Sequence, residues 1–121
     1  MQCATAKRVL VLEDESQLGT KIADLLEDAG YEVAGPVRNV LEAKRIVGLD
    51  GVDCAVVNAD LESESPLLLA DEIVRQGAPV LLISNCAPRR SRNGRERFRQ
   101  LRKPFTGEQL VSHVNGLFLP N

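Results

Sequence analysis

No aliphatic stretch in the 121 residues runs beyond four or five positions, Val9 to Leu12 and Leu67 to Ala70 being examples. A membrane-crossing helix takes roughly 20 apolar residues, so the sequence encodes none. A secretory leader is missing too: Lys7 and Arg8 precede only four apolar residues, and Glu13 and Asp14 follow at once. Cysteine is scarce. Cys3, Cys54 and Cys86 are odd in number and scattered, which excludes a disulfide framework and a zinc-ligand pattern. Together these absences point to a reducing, cytoplasmic setting. His113 is the single histidine, and no second group beside it in sequence would support metal binding or phosphotransfer, so it reads as a surface residue on the last helix. No linker or low-complexity run divides the chain.

What is present is the mixture of a soluble globular protein with one core: 44% apolar and 26% charged residues. The formal net charge is −2, unevenly spread. Residues 89–103 carry Arg89, Arg90, Arg92, Arg95, Arg97, Arg99, Arg102 and Lys103 against one acid, Glu96. The remainder is strongly acidic. A basic face on an acidic body is suited to meeting a partner.

Apolar periodicity divides the chain into alternating strands and helices. Arg8–Leu12 reads as a buried strand. Leu18, Ile22, Leu25, Leu26 and Ala29 lie on one helical face, with Gly30 as the stop. Tyr31–Gly35 is a second strand, closed by Gly35-Pro36. Asn39 and Glu42 form a capping pair for a helix carrying Leu41, Ile46 and Val47 and ending near Gly48. Asp53–Asn58 is a third strand. Ser65-Pro66 opens a helix on Leu69, Ala70, Ile73 and Val74 that ends at Gly77. Pro79–Ser84 is a fourth strand. Residues 87–98 are polar, basic and interrupted by Gly94, and any helix there is short or irregular. Arg99–Arg102 is a weak fifth strand. Thr106 and Gln109 make a capping box for a last helix on Leu110, Val111, Val114, Leu117 and Phe118. Strands apolar on both sides, alternating with amphipathic helices, define an α/β fold with a doubly wound parallel sheet.

Sheets of this kind place ligands at the carboxyl ends of their strands. Those ends bear Glu13 and Asp14, then Asn58 and Asp60, then Ser84 to Cys86, then Lys103. Adjacent carboxylates are hard oxygen ligands suited to Mg²⁺, and a lysine with a hydroxyl suits phosphoryl oxygens. Singly, each is also what a solvated strand end carries. Four strand ends with compatible chemistry make the functional reading the stronger one.

The runs Val9-Leu-Val-Leu-Glu-Asp-Glu15, Asp53-Cys-Ala-Val-Val-Asn-Ala-Asp-Leu61, Val80-Leu-Leu-Ile-Ser84 and Leu101-Arg-Lys-Pro-Phe105 resemble, in order and spacing, the receiver domain of bacterial two-component (phosphorelay) response regulators. The resemblance spans Arg8 to about Leu119. It implies a flavodoxin-like sheet of five strands in the order 2-1-3-4-5, forming one receiver-like domain over residues 1–121. It also implies a Mg²⁺ site built on Glu13, Asp14, the residue at Asn58 and the backbone carbonyl of Asp60, whose side chain faces solvent in that family. Ser84 and Lys103 match the residues that meet the phosphoryl group, and Lys103-Pro104 matches a peptide bond that is usually cis.

Three positions depart from the pattern. Asn58 stands where the phosphoacceptor aspartate is expected, and a carboxamide is a poor, uncharged nucleophile. Asn85 replaces a small residue. Gln100 stands where many members carry an aromatic switch residue. The chain therefore reads as an atypical receiver, not an enzyme, with weak Mg²⁺ binding. It would act without aspartyl phosphorylation by contacting a histidine kinase or another signalling protein, and its end after the last helix predicts a stand-alone domain without an output domain. The rival is a Mg²⁺-dependent phosphoacceptor that uses Asp60, or one whose aspartate has been replaced by Asn58. A third reading takes the basic segment as a nucleic-acid surface; only Phe98 interleaves its charges and no helix-turn-helix follows. Protein association through Arg89, Arg90, Arg92, Arg95, Arg97 and Arg99 is favoured instead, a second copy of the chain being one such partner. Charge reversal at Arg92 and Arg95 is expected to weaken pull-down of native partners severalfold and leave the thermal midpoint nearly unchanged; unaltered recovery would make the segment a solvated face.

Overall fold

The computed structural model describes residues 6–61, 65–86 and 98–119. Five strands alternate with helices: β1 (Arg8–Leu12), α1 (Ser16–Asp28), β2 (Glu32–Val37), α2 (Val40–Leu49), β3 (Cys54–Asn58), α3 (Pro66–Arg75), β4 (Val80–Ser84), β5 (Arg99–Arg102) and α4 (Gly107–Leu117). The strands form one sheet in the order β2-β1-β3-β4-β5, all parallel. This is the doubly wound topology expected from the sequence. Residues 87–97, which hold most of the arginine-rich segment, lie outside the described residues.

Side-chain alternation sorts the core into two layers. Leu10, Leu12, Ala55, Val57, Val80 and Leu82 face one side, under Val40, Ala43 and Val47 of α2 and Leu69, Ala70 and Ile73 of α3. Val9, Val11, Cys54, Val56, Leu81 and Ile83 face the other, under Ile22 and Leu26 of α1 and Leu110 and Val114 of α4. Every residue of β3 and β4 is buried, as central strands covered on both faces require. The Cys54 thiol is pushed up to about 12 by that burial and behaves as a small apolar core group. Among the described residues no helix is long and apolar enough to cross a membrane.

The caps expected from sequence are in place. The Asn39 side chain accepts from the Glu42 N–H at 2.9 Å, and Ser65 accepts from Leu68 with Pro66 following. Thr106 and Gln109 bond reciprocally. Two local expectations are corrected. On α2 the buried face is Val40, Ala43 and Val47, while Leu41 is 56% exposed; alanine and the first helical residue pack there because the helix lies close to the sheet. Strand β2 does not stop at Gly35-Pro36. It runs on to Val37, with a register shift opposite Leu10 and Leu12. Both the Gly35-Pro36 and the Lys103-Pro104 peptide bonds are cis.

Gly35 makes that continuation possible. Its φ is +111°, and a Cβ there would lie 2.7 Å from the Val37 nitrogen and 2.9 Å from the Val11 oxygen, both backbone atoms that cannot yield. The irregular strand then lets the Val37 carbonyl accept from the Glu13 N–H at 3.0 Å, fixing the chain as it leaves β1. Gly35→Ala is expected to cost about 2–3 kcal/mol, read as a lower urea midpoint with an unchanged slope.

Candidate functional site

The register brings the strand ends to one level. Leu12 pairs with Val57, Asn58 with Ile83, and Ser84 with Arg102. The ladder extends one step further through Ala59 N–H to the Ile83 carbonyl and Lys103 N–H to the Ser84 carbonyl, both at 2.8 Å. Glu13, Asn58, Ser84 and Lys103 are thereby gathered at one end of the sheet, beside the β1/β3 boundary where the winding direction reverses.

Glu13 is the buried charge of this cluster, 1% exposed. Its Oε1 lies 3.1 Å from the Lys103 ammonium. Its Oε2 accepts from the Glu15 N–H at 3.0 Å and from Asn58 Nδ2 at 3.1 Å. Burial pushes the Glu13 carboxyl above its ordinary value, while the Glu15 N–H and then Lys103 pull it back.

Asn58 is also buried, and its orientation follows from its neighbours. The Asp60 N–H needs an acceptor and finds Asn58 Oδ1 at 2.9 Å, so the NH₂ end must turn the other way. It donates to Glu13 Oε2 and, at 3.2 Å, to Asp14 Oδ1. The amide thus sits between the two carboxylates that the sequence marked as Mg²⁺ ligands. Glu13 and Asp14 fit a hard cation, but the third group presents hydrogens to the position where a metal would need oxygen. Among the described residues no three His, Cys, Asp or Glu side chains are grouped to hold a metal. The residues present do not make a three-carboxylate metal site.

Asp60 departs from its expected solvent-facing pose. Its Oδ1 accepts from the Ser84 hydroxyl at 3.1 Å and its Oδ2 from the Asn85 N–H at 2.7 Å. The Ser84 oxygen in turn accepts from the Cys86 N–H at 3.0 Å. No signal in the sequence marked this arrangement, because it depends on how the turn after β3 points its side chain. Gln100 lies on β5 level with Leu82, one position before Leu101, which is buried. Arg89, Arg90, Arg92, Arg95 and Arg97 lie outside the described residues.

His113 has a partner after all. The exposed Arg99, one of the residues assigned to partner binding, donates through Nε to His113 Nδ1 at 3.0 Å. Its guanidinium lies where a Cβ on Gly116 would come within 2.9 Å of it. The absence of a side chain three residues after His113 was the available clue.

The fold is that of response-regulator receiver domains. The chain superposes on chemotaxis protein CheY4 of Vibrio cholerae with a TM-score of 0.83 at 20% identity, over 94% of this chain and all of that one. It superposes on response regulator TrrA of Thermotoga maritima, solved in complex with Mg²⁺-BeF, with a TM-score of 0.81 at 24% identity, over 93% of this chain and 99% of the other. In sequence it is similar to transcriptional regulatory protein PdtaR of Mycobacterium tuberculosis, at 26% identity over 116 residues and 92% of this chain. It spans 56% of the length of that curated relative. No family model matches the chain.

Burial, and then the Arg99 charge, hold the His113 imidazole below its ordinary value. The unfolded chain therefore takes up a proton first as pH falls, so stability present above about pH 6.5 is lost below it. His113→Gln is expected to flatten the fall of the urea midpoint between pH 7 and pH 5; an identical fall in both proteins would show that His113 contributes nothing to it.

Proposed function

We propose that the chain is a receiver domain of two-component signalling that works through protein contacts and does not accept a phosphoryl group at the end of β3. The observation that carries this reading is Asn58. The residue at the acceptor position is a carboxamide, and its NH₂ is spent on Glu13 and Asp14 while its oxygen is spent on the Asp60 N–H. A carboxylate attacks phosphorus and forms an acyl phosphate; an amide held this way offers neither charge nor a free nucleophilic atom. In this reading the domain performs no reaction of its own.

Mg²⁺ binding is weak for the same reason. Compared with a site of three carboxylates and a lysine, one negative charge is missing. A unit charge at ~4 Å is worth at most about 4 kcal/mol at an effective dielectric of ~20, and the open mouth of the site reduces that. The partners are a histidine kinase or another signalling protein, met in the cytoplasm. The strongly basic 89–103 segment, set on an acidic body, favours an acidic protein surface, since arginine pairs with carboxylates through two parallel hydrogen bonds. A second copy of the chain carries such a surface. The likeness in sequence to a transcriptional regulatory protein and in fold to chemotaxis and response-regulator proteins supports a place in such a pathway.

Incubation with Mg²⁺ and a small phosphodonor is expected to leave the intact mass of the protein unchanged, while Asn58→Asp gains one acid-stable, base-labile phosphoryl group. A phosphoryl adduct on the unaltered chain, lost in Asp60→Ala, would overturn the reading in favour of a displaced acceptor.

A further inference from the structure

The turn after β4 offers two hydrogen-bond donors to one place, the Ser84 hydroxyl and the Asn85 N–H. A converging O–H and N–H make a cradle for an anion with two oxygens. In this chain the cradle holds the protein's own Asp60, one carboxylate oxygen on each donor at 3.1 and 2.7 Å. The bonds join residues 24 and 25 positions apart, across the ends of neighbouring strands β3 and β4. The carboxylate reaches the third residue of the turn indirectly, because the Ser84 oxygen it engages also accepts from the Cys86 N–H at 3.0 Å. Asp60 is held in turn from behind, its N–H bonded to the buried Asn58.

We propose that Asp60 is a built-in anionic ligand that fixes the Ser84–Cys86 turn in one arrangement, so that the turn is set by the chain itself and needs no phosphoryl group to set it. Asp60 is a positioning residue in this role. Its charge-assisted bonds are stronger than the neutral contacts of an ordinary turn, and both of its oxygens are engaged, so the turn has one well-defined partner. In the sequence, Ala87 and Pro88 separate this turn from the arginine-rich stretch that begins at Arg89. The inference rests on the reading of the chain as a receiver that does not use Asn58 as an acceptor. Its test measures amide exchange without any phosphodonor, so the two fail separately.

Amide hydrogen exchange, read residue by residue by NMR, tests the assignment. In Asp60→Ala the Asn85 amide is expected to exchange roughly tenfold faster or more, and the Cys86 amide faster as well, while Val56 and Leu82 in the central strands stay as protected as before. Asp60→Asn keeps the shape and one acceptor, and is expected to give a smaller acceleration at Asn85; it also serves should the alanine variant fail to keep its central-strand protection. Ser84→Ala is expected to release Cys86 but leave Asn85 protected, because Asp60 Oδ2 still holds it. Equal Asn85 protection in the unaltered chain and in both Asp60 variants would overturn the proposal. So would release of both amides together in Ser84→Ala, which would place the anchor at Ser84.

Discussion

A carboxylate with 1% exposure has to be answered by its surroundings, and much of this molecule's functional end is the answer to Glu13. Burying an ionised acid without partners is prohibitively costly. Here the Lys103 ammonium arrives from the end of β5, the Glu15 N–H from the first turn after β1, and the Asn58 amide from the end of β3. Three segments distant in sequence are held at one point by a single side chain. The parallel register makes this possible, because it ends β1, β3 and β5 at the same level. A buried pair of this kind gives little net stability, but removal of one partner strands the other.

The same surroundings explain why the site is satisfied from within. Asn58 places hydrogens between two acids where a cation would otherwise balance them. Asp60 places oxygens on the two donors of the turn after β4. Both poles are filled by neutral or charged groups of the chain, two residues apart and linked by a hydrogen bond. The Asn58 amide and the inward-turned Asp60 are thus parts of one hydrogen-bond network, and the amide at Asn58 fits that network better than a further buried carboxylate beside Glu13 and Asp14 would.

Much of this was legible in the sequence, and the limits have physical causes. Strands such as Val80–Ser84 announce themselves through uninterrupted apolar character, and Asn39, Ser65 and Thr106 through capping chemistry that acts over three residues. The strand-end residues Glu13, Asp14, Asn58, Ser84 and Lys103 followed from topology together with resemblance. On α2, Ile46 and Val47 were read rightly and only Leu41 was misplaced, because Leu41 outweighs Ala43 in hydrophobicity, whereas close packing against the sheet selects the smaller side chain. The ends of β2 were misread because Gly-Pro ordinarily closes a strand; here glycine's positive φ carries the chain through. The inward turn of Asp60 and the pairing of Arg99 with His113 depend on distances set by the finished fold, 25 and 14 residues away along the chain, and no local pattern encodes them.

The two outer strands of the sheet bear on how copies of this chain can meet. A strand at the end of a sheet presents unpaired backbone groups, a template on which another strand can add. In β2 that template is interrupted by Gly35 and Pro36, which bend the strand and remove a donor. In β5 it is only four residues long, and Arg99 and Arg102 are both exposed upon it, the former drawn onto α4 by His113. Neither edge is a flat, uncharged ribbon of the sort that recruits its like. Open-ended sheet growth between copies is thereby disfavoured at both edges.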